Sequence, residues 1–139
     1  MAAKEAIQLL LVTNSHEDVR SAERAAAKWG CMEYWQAVTL AEALKRVAAD
    51  RFDIVLLSLS LPDSSGIETL IRFNRTMPSI PVIVLTDPHH NHVGSEALRH
   101  GALLHLVRGE FSSHMLAQCV RYVLERQRLA VQASGRMYA

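Results

Sequence analysis

Short apolar runs alternate along the chain with stretches in which apolar residues recur every three or four positions. Leu9-Leu10-Leu11-Val12 is a compact run closed by polar Thr13-Asn14-Ser15. Asp53-Ile54-Val55-Leu56-Leu57 and Pro81-Val82-Ile83-Val84-Leu85 are apolar on both faces, as central parallel strands must be. Met32 to Val38 reads as a weaker strand and Leu103 to Val107 as a fifth. Between them lie helical periods. Val19, Ala22, Ala26 and Trp29 share one face of a helix from about Asp18 to Trp29, with Gly30 as its stop. Thr39 and Glu42 are spaced as a capping box before Leu40, Leu44 and Val47, and Ser65 and Glu68 as a second one before Ile67, Leu70 and Ile71. A polar loop with His89, His90 and His92 leads to a short helix ending at Gly101. From Ser112 onward Leu116, Val120, Val123, Leu124 and Val131 keep helical spacing.

Five strands and five helices in strict alternation predict an α/β fold with a parallel sheet and crossover helices. There are no internal repeats and no interdomain linker. Residues 1–131 read as one domain; 132–139 have weak periodicity and read as a frayed tail or the start of a connector.

Composition narrows the function. The chain has 139 residues, half of them hydrophobic and 21% charged, with a net charge of +1. That balance argues against a long-range field for nucleic acid or an acidic membrane surface. The longest apolar runs are too short to cross a bilayer. The sequence opens without a secretory pattern, so a cytoplasmic location is expected. Cys31 and Cys119 form no CxxC pair and are expected to be buried free thiols. Trp29, Tyr34 and Trp35 have no basic stripe beside them and read as core or edge packing rather than a stacking platform.

Two segments resemble the receiver domain of bacterial response regulators. The first runs from Phe52 through the strand to Leu61-Pro62-Asp63-Ser64-Ser65-Gly66. The second is Pro81-Val82-Ile83-Val84-Leu85-Thr86, followed by Gly101-Ala102 and Val107-Arg108-Gly109-Glu110. The likeness extends from about Ile7 to Ala130. It implies a flavodoxin-like, doubly wound (βα)5 fold with strand order 2-1-3-4-5, helices on both faces, and a site at the carboxyl ends of the strands.

The resemblance also implies a chemistry that the residues do not support. In this family an acidic pair after the first strand holds Mg²⁺, and an aspartate ending the third strand accepts a phosphoryl group. A hydroxyl ends the fourth strand, and a lysine follows the fifth. Here the acidic pair falls on Thr13 and Asn14, the acceptor on Ser58, the hydroxyl on Thr86 and the lysine on Arg108. Three carboxylates are missing at once, so no Mg²⁺ and no other cofactor are expected, and no catalytic residue is assigned. Asp87 follows Thr86, and Arg108 is expected to pair with Asp87 or with the hydroxyls of Ser58 and Thr86, or else to remain solvated with Asp87 unpaired. His105 stands where the family has a switch aromatic, and a histidine there would make an interface pH-sensitive.

The expected function is therefore a phosphorylation-independent, non-enzymatic interaction module of a two-component pathway. Its expected partner is a histidine kinase, an output domain or another signalling protein, with a homodimer as a further expectation. The resemblance implies an interaction face with Leu98, His105, Arg121 and Tyr122. Two other readings stay open. One is a small-ligand or metal sensor using the altered pocket or the His89, His90, His92 cluster, although that spacing matches no standard zinc motif and no metal ligands are assigned. The other is a receiver phosphorylated at an unorthodox residue, Asp53, Asp63 or Ser58.

Overall fold

The computed structural model describes residues 6–138. In chain order the elements are β1 (Ile7–Val12), α1 (His16–Trp29), β2 (Met32–Ala37), α2 (Leu40–Ala49), β3 (Ile54–Ser58), the short strands β4 (Ser60–Leu61) and β5 (Ser64–Ser65), α3 (Ile67–Thr76), β6 (Val82–Thr86), a 3₁₀ turn (Pro88–His90), α4 (Asn91–Arg99), β7 (Leu104–Val107) and α5 (Ser113–Tyr138). Five strands pair in parallel in the order β2-β1-β3-β6-β7, while β4 and β5 make a small antiparallel hairpin. Apart from that hairpin, this is the expected doubly wound order.

Alternation along each strand divides the core into two layers. Leu9 and Leu11, with Ile54, Leu56, Ile83, Leu85 and Leu106, pack against Ala22 and Ala25 of α1 and Leu116, Val120 and Val123 of α5. Leu10 and Val12, with Val55, Leu57, Val82 and Val84, pack against Leu40 and Val47 of α2, Leu70 and Phe73 of α3 and Ala97 of α4. β3 and β6 are buried at every residue, which explains their unbroken apolar runs.

The helix ends correct some details of the sequence reading. α1 closes as expected on Gly30, whose φ of 74° is left-handed. At α2, Thr39 Oγ1 accepts from Glu42 N, and Glu42 Oε1 accepts from Val38 N. The second expected capping box does not form. Ser65 is drawn into the β4–β5 hairpin, α3 begins after Gly66 with no side-chain cap, and Ser64 and Thr69 bond to each other instead. The loop expected at His89, His90 and His92 is largely wound into the 3₁₀ turn and α4, with His92 exposed on the helix. The backbone of residues 132–138 continues α5 as helix. The side chains of His90 and Val131, and residue Ala139, lie outside the described residues.

The cysteines are half-buried rather than buried, and burial pushes the Cys119 thiol up. Trp35 lies on the edge strand and is 45% exposed. Its indole N–H donates to Gln8 Oε1 at 2.8 Å, and the Arg46 guanidinium lies over its ring. Trp29 and Tyr34 pack partly buried against the α1–α5 layer.

Asp63, in the hairpin turn, reaches across to α2. Its two oxygens accept from Leu40 N at 2.9 Å and Ala41 N at 3.0 Å, so with Thr39 the first three amides of α2 are satisfied. The Leu40 amide bond is the main cause holding the Asp63 carboxyl below its ordinary value. Replacing Asp63 with Asn or Ala is expected to cost about 1 kcal/mol near neutral pH. Because the folded-state carboxyl is more acidic than the unfolded one, that contribution is present above its ordinary pKa of 3.8 and lost as pH falls through and below it. Denaturant unfolding of wild type and D63N at pH 7 and pH 3 checks this: the gap between them should narrow at the lower pH.

Candidate functional site

At the carboxyl ends of the strands, Arg108, the first residue after β7, extends back across the sheet into a cluster from four other segments. Its backbone is fixed by a 2.9 Å bond from its N–H to the Thr86 carbonyl. Its side chain is 11% exposed. Nε donates to Asp18 Oδ1 at 2.9 Å, and Nη2 donates to Asp18 Oδ2 at 2.7 Å. Nη2 also donates to Ser58 Oγ at 2.7 Å, and Nη1 to Asp87 Oδ1 at 3.1 Å. One guanidinium thus ties the end of β7 to the start of α1, the end of β3 and the residue after β6.

The surrounding groups complete the network. Thr13 and Ser58 are fully buried and Asp18 is 3% exposed. Thr13 Oγ1 donates to Asp18 Oδ2 at 2.6 Å and accepts from Ser15 N at 3.0 Å. Ser58 Oγ accepts from Ser60 N at 3.1 Å and bonds to the Ser60 carbonyl at 3.3 Å. Burial disfavours the Arg108 charge, but the bonds and charge of Asp18, with Asp87 behind them, outweigh it and raise its pKa. The side chain stays cationic at any working pH.

Of the residues singled out in the sequence, Thr13, Ser58, Asp87 and Arg108 come together here. Asn14 is exposed in the bend after β1 and makes no side-chain hydrogen bond among the described residues. Thr86 Oγ1 does not meet Arg108; it bonds to His105 Nε2 at 2.6 Å. Asp18 was missed. In sequence it is an acidic residue in the first turn of a helix, which the helix dipole alone explains. The available signal was spacing: Asp18, Ala22 and Ala25 stand at i, i+4 and i+7, and all three are buried.

The expected interaction face needs one correction. His105 is half-buried, with its ring bonded to Thr86. Arg121, one residue along α5 from Tyr122 and so turned by about 100°, faces the α1 side with its guanidinium over the Trp29 ring. Leu98 and Tyr122 do share a face: with Leu103 and Arg126 they line a groove of about 380 Å³ between the end of α4 and α5. Leu98, Leu103 and Tyr122 are 49%, 42% and 51% exposed, an unusual concentration of large apolar side chains at the surface.

A cleft of about 100 Å³, lined by Leu59, Ser60, Ser65, Gly66, Thr86, Asp87 and Val93, opens beside the Arg108 cluster. It falls short of the roughly 300 Å³ at which ligand pockets begin. Among the described residues no group of three His, Cys, Asp or Glu side chains is arranged to hold a metal ion. Nor is any helix among them long and apolar enough to cross a membrane.

The doubly wound sheet, with its polar cluster at the carboxyl edge, is of the flavodoxin-like class. Residues 7–128 match the family described as the response regulator receiver domain, and the chain belongs to that family. Receiver domains interact with kinases and output domains in two-component systems. The chain is similar to the transcriptional regulatory protein ZraR of Klebsiella oxytoca, 37% identical over 67 residues, which are 48% of this chain and 15% of that protein. It is also 35% identical over 77 residues to the KDP operon transcriptional regulatory protein KdpE of Escherichia coli, 55% of this chain and 34% of that protein. The chain thus matches only 15% and 34% of the length of these two relatives. The fold resembles that of a CheY-like receiver domain from Methanospirillum hungatei, with a TM-score of 0.78 at 20% identity, covering 91% of this chain and 99% of the other. NtrX from Brucella abortus gives 0.81 at 21% identity, covering 94% of this chain and 29% of the other.

Removing one partner of a buried ion pair strands the other. Arg108→Ala and Asp18→Asn are each expected to destabilise the fold by about 3–5 kcal/mol. The double variant D18N/R108A should cost clearly less than the sum, and chemical denaturation of the four proteins measures that coupling.

Proposed function

We propose that this receiver domain signals without aspartyl phosphorylation and without Mg²⁺, acting through protein partners. The observation that carries the reading is the Arg108 guanidinium lodged between Asp18, Ser58 and Asp87. Mg²⁺ binds through carboxylate oxygens and water in strict octahedral geometry. Thr13 and Ser58 offer neutral oxygens, and the carboxylates of Asp18 and Asp87 are already engaged by a permanent cation. A dication brought to those oxygens would adjoin that fixed positive charge, so the donor set does not fit Mg²⁺. Ser58, at the acceptor position, has no resting negative charge, and its oxygen already accepts from Arg108.

The alternative acceptors are engaged elsewhere. Asp53 accepts from Gln8 N at 2.8 Å, at the opposite end of the sheet from Arg108, and Asp63 caps α2. The size of the cleft beside Arg108 weighs against a metabolite sensor. With the pocket filled by internal bonds, control comes from a partner's differential affinity for one conformation. Its docking site is the α4–α5 groove with Leu98, Leu103 and Tyr122, which would accept a kinase, an output domain, another signalling protein or a second copy of this chain. A cytoplasmic location fits that role.

Incubation with Mg²⁺ and acetyl phosphate, or with beryllofluoride, followed by intact mass and amide spectra, tests the reading. No phosphoryl adduct and no Mg²⁺-dependent shifts around Ser58, Thr86 and Arg108 are expected. An adduct, or saturable shifts in those amides, would overturn it.

A further inference from the structure

β2 is the free edge of the sheet, at the opposite side from β7. Ile7 N–H donates to the Cys31 carbonyl at 2.7 Å, and Thr13 N–H to the Ala37 carbonyl at 2.9 Å. In a parallel ladder every second residue turns its N–H and C=O the same way, so Glu33 and Trp35 also face β1. Met32, Tyr34 and Gln36 therefore point their amide and carbonyl groups off the open edge. The next such amide, that of Val38, is taken by Glu42 Oε1 at 2.7 Å. Edges of this kind are commonly blunted by lysine, proline, a bulge or a very short strand. The strand Met32-Glu33-Tyr34-Trp35-Gln36-Ala37 has one charged residue and neither lysine nor proline, and its register with β1 runs without a bulge.

The side chains beside this edge are held in place. Glu33 and Trp35 alternate with Tyr34 and so share the face of Ala37, the one toward α2. There the Trp35 indole donates to Gln8 Oε1, and Gln8 Nε2 donates to Glu33 Oε1 at 2.7 Å, so one amide fixes both neighbours. The Arg46 guanidinium lies over the rings of Trp35 and Phe52, 5.6 Å and 5.9 Å from their centroids. Its ion-pair partner among the described residues, Asp50, is 3.6 Å away, beyond hydrogen-bond range. Glu33 is exposed and has no cationic partner among them. On the opposite face Tyr34 lies half-buried against the α1–α5 layer.

We propose that β2 pairs antiparallel with β2 of a second copy, about a twofold axis through Tyr34, joining the two sheets edge to edge. Tyr34 then exchanges both backbone bonds with its symmetry mate, and Met32 exchanges them with Gln36. Glu33 falls opposite Trp35 of the second copy, where the Arg46 guanidinium of that copy supplies the cation that Glu33 lacks. On the other face the two Tyr34 rings meet as an aromatic cross-strand pair. Charge fixes the register. An axis through Trp35 would set the two Arg46 guanidinia against each other and leave Glu33 opposite Ala37. The occupant is a second copy because this one edge carries both members of the ion pair at self-complementary positions. The groove between α4 and α5 lies toward the other edge of the sheet, where α4 packs on β6 and β7, and stays open in the pair. The pairing does not depend on whether the site takes a phosphoryl group.

Sedimentation of the full chain from about 10 μM to about 1 mM, with amide hydrogen exchange followed by NMR at both ends of that range, tests the pairing. The mass should rise to twice that of one chain and stop there. Exchange of the Tyr34 and Gln36 amides should slow at least about tenfold at the higher concentration, while Glu33 and Trp35, already bonded to β1, keep the same protection. Glu33→Lys and Arg46→Glu should each weaken association about tenfold, since each turns two symmetry-related attractions into repulsions. The double variant E33K/R46E, in which the charges have changed places, should recover it. A chain that stays monomeric throughout, a mass that climbs past two chains, or a dimer whose Tyr34 and Gln36 amides exchange as in the monomer overturns the pairing. So does a folded double variant that recovers nothing. Where a variant fails to fold, the exchange pattern of the wild-type chain decides.

Discussion

A guanidinium that cannot give up its charge is held where water barely reaches it, and the carboxyl edge of the sheet is built around that fact. Arg108 needs anionic partners, and they come from segments far apart in sequence: Asp18 opens α1, and Asp87 follows β6. Ser58 ends β3 and takes a further N–H, while Thr13 donates to the same Asp18 oxygen that Arg108 Nη2 engages. Buried ion pairs of this kind add little net stability over a well-packed apolar replacement, but they tolerate no partial loss. Their use here is positional. The cluster draws four strand ends and one helix start into a single register.

Two smaller devices extend that order outward. Asp63 reaches from the hairpin after β3 to the first amides of α2, so the segment that leads into α3 also anchors the neighbouring helix. On the other side, the ring of His105 takes the place of a missing side chain on α4. The two faces of the site are thus joined to the sheet by different chemistry: a carboxylate on helix amides for α2, and an imidazole wedged against backbone for α4.

The fold was legible because both of its periodicities are strong. Leu9 to Val12, Ile54 to Leu57 and Val82 to Leu85 are apolar on both faces, which only a doubly covered strand requires, and Val120 with Val123 and Leu116 keep an uninterrupted helical stripe. Strand boundaries slipped by a residue because the last member of β3 and of β6 is a buried hydroxyl, Ser58 or Thr86, polar in sequence yet satisfied in place. The site was half legible. Its strand-end members could be located from the loop that follows β3 and the segment after β7, but Asp18 could not, since nothing local distinguishes an acid that serves a helix dipole from one that serves a distant arginine. The Ser65 cap failed for a related reason: the hairpin competed for the same residues. Arg121 was misplaced because adjacent positions on a helix look alike in sequence and face different neighbours in space.

α5 is 26 residues long, about 39 Å at the usual rise, and the fully buried members of its inner face, Leu116, Val120 and Val123, all lie in its first half. From Arg126 to Ala130 the side chains are exposed or half-buried, so this stretch lacks the buried rows that root the helix in the α1–α5 layer. A rigid rod converts a small angular error at its root into a larger displacement further along. A tilt of about 10° at Val123 would carry the backbone of residue 130 through roughly 2 Å. Mechanical gain of that sort requires no rearrangement within the helix itself.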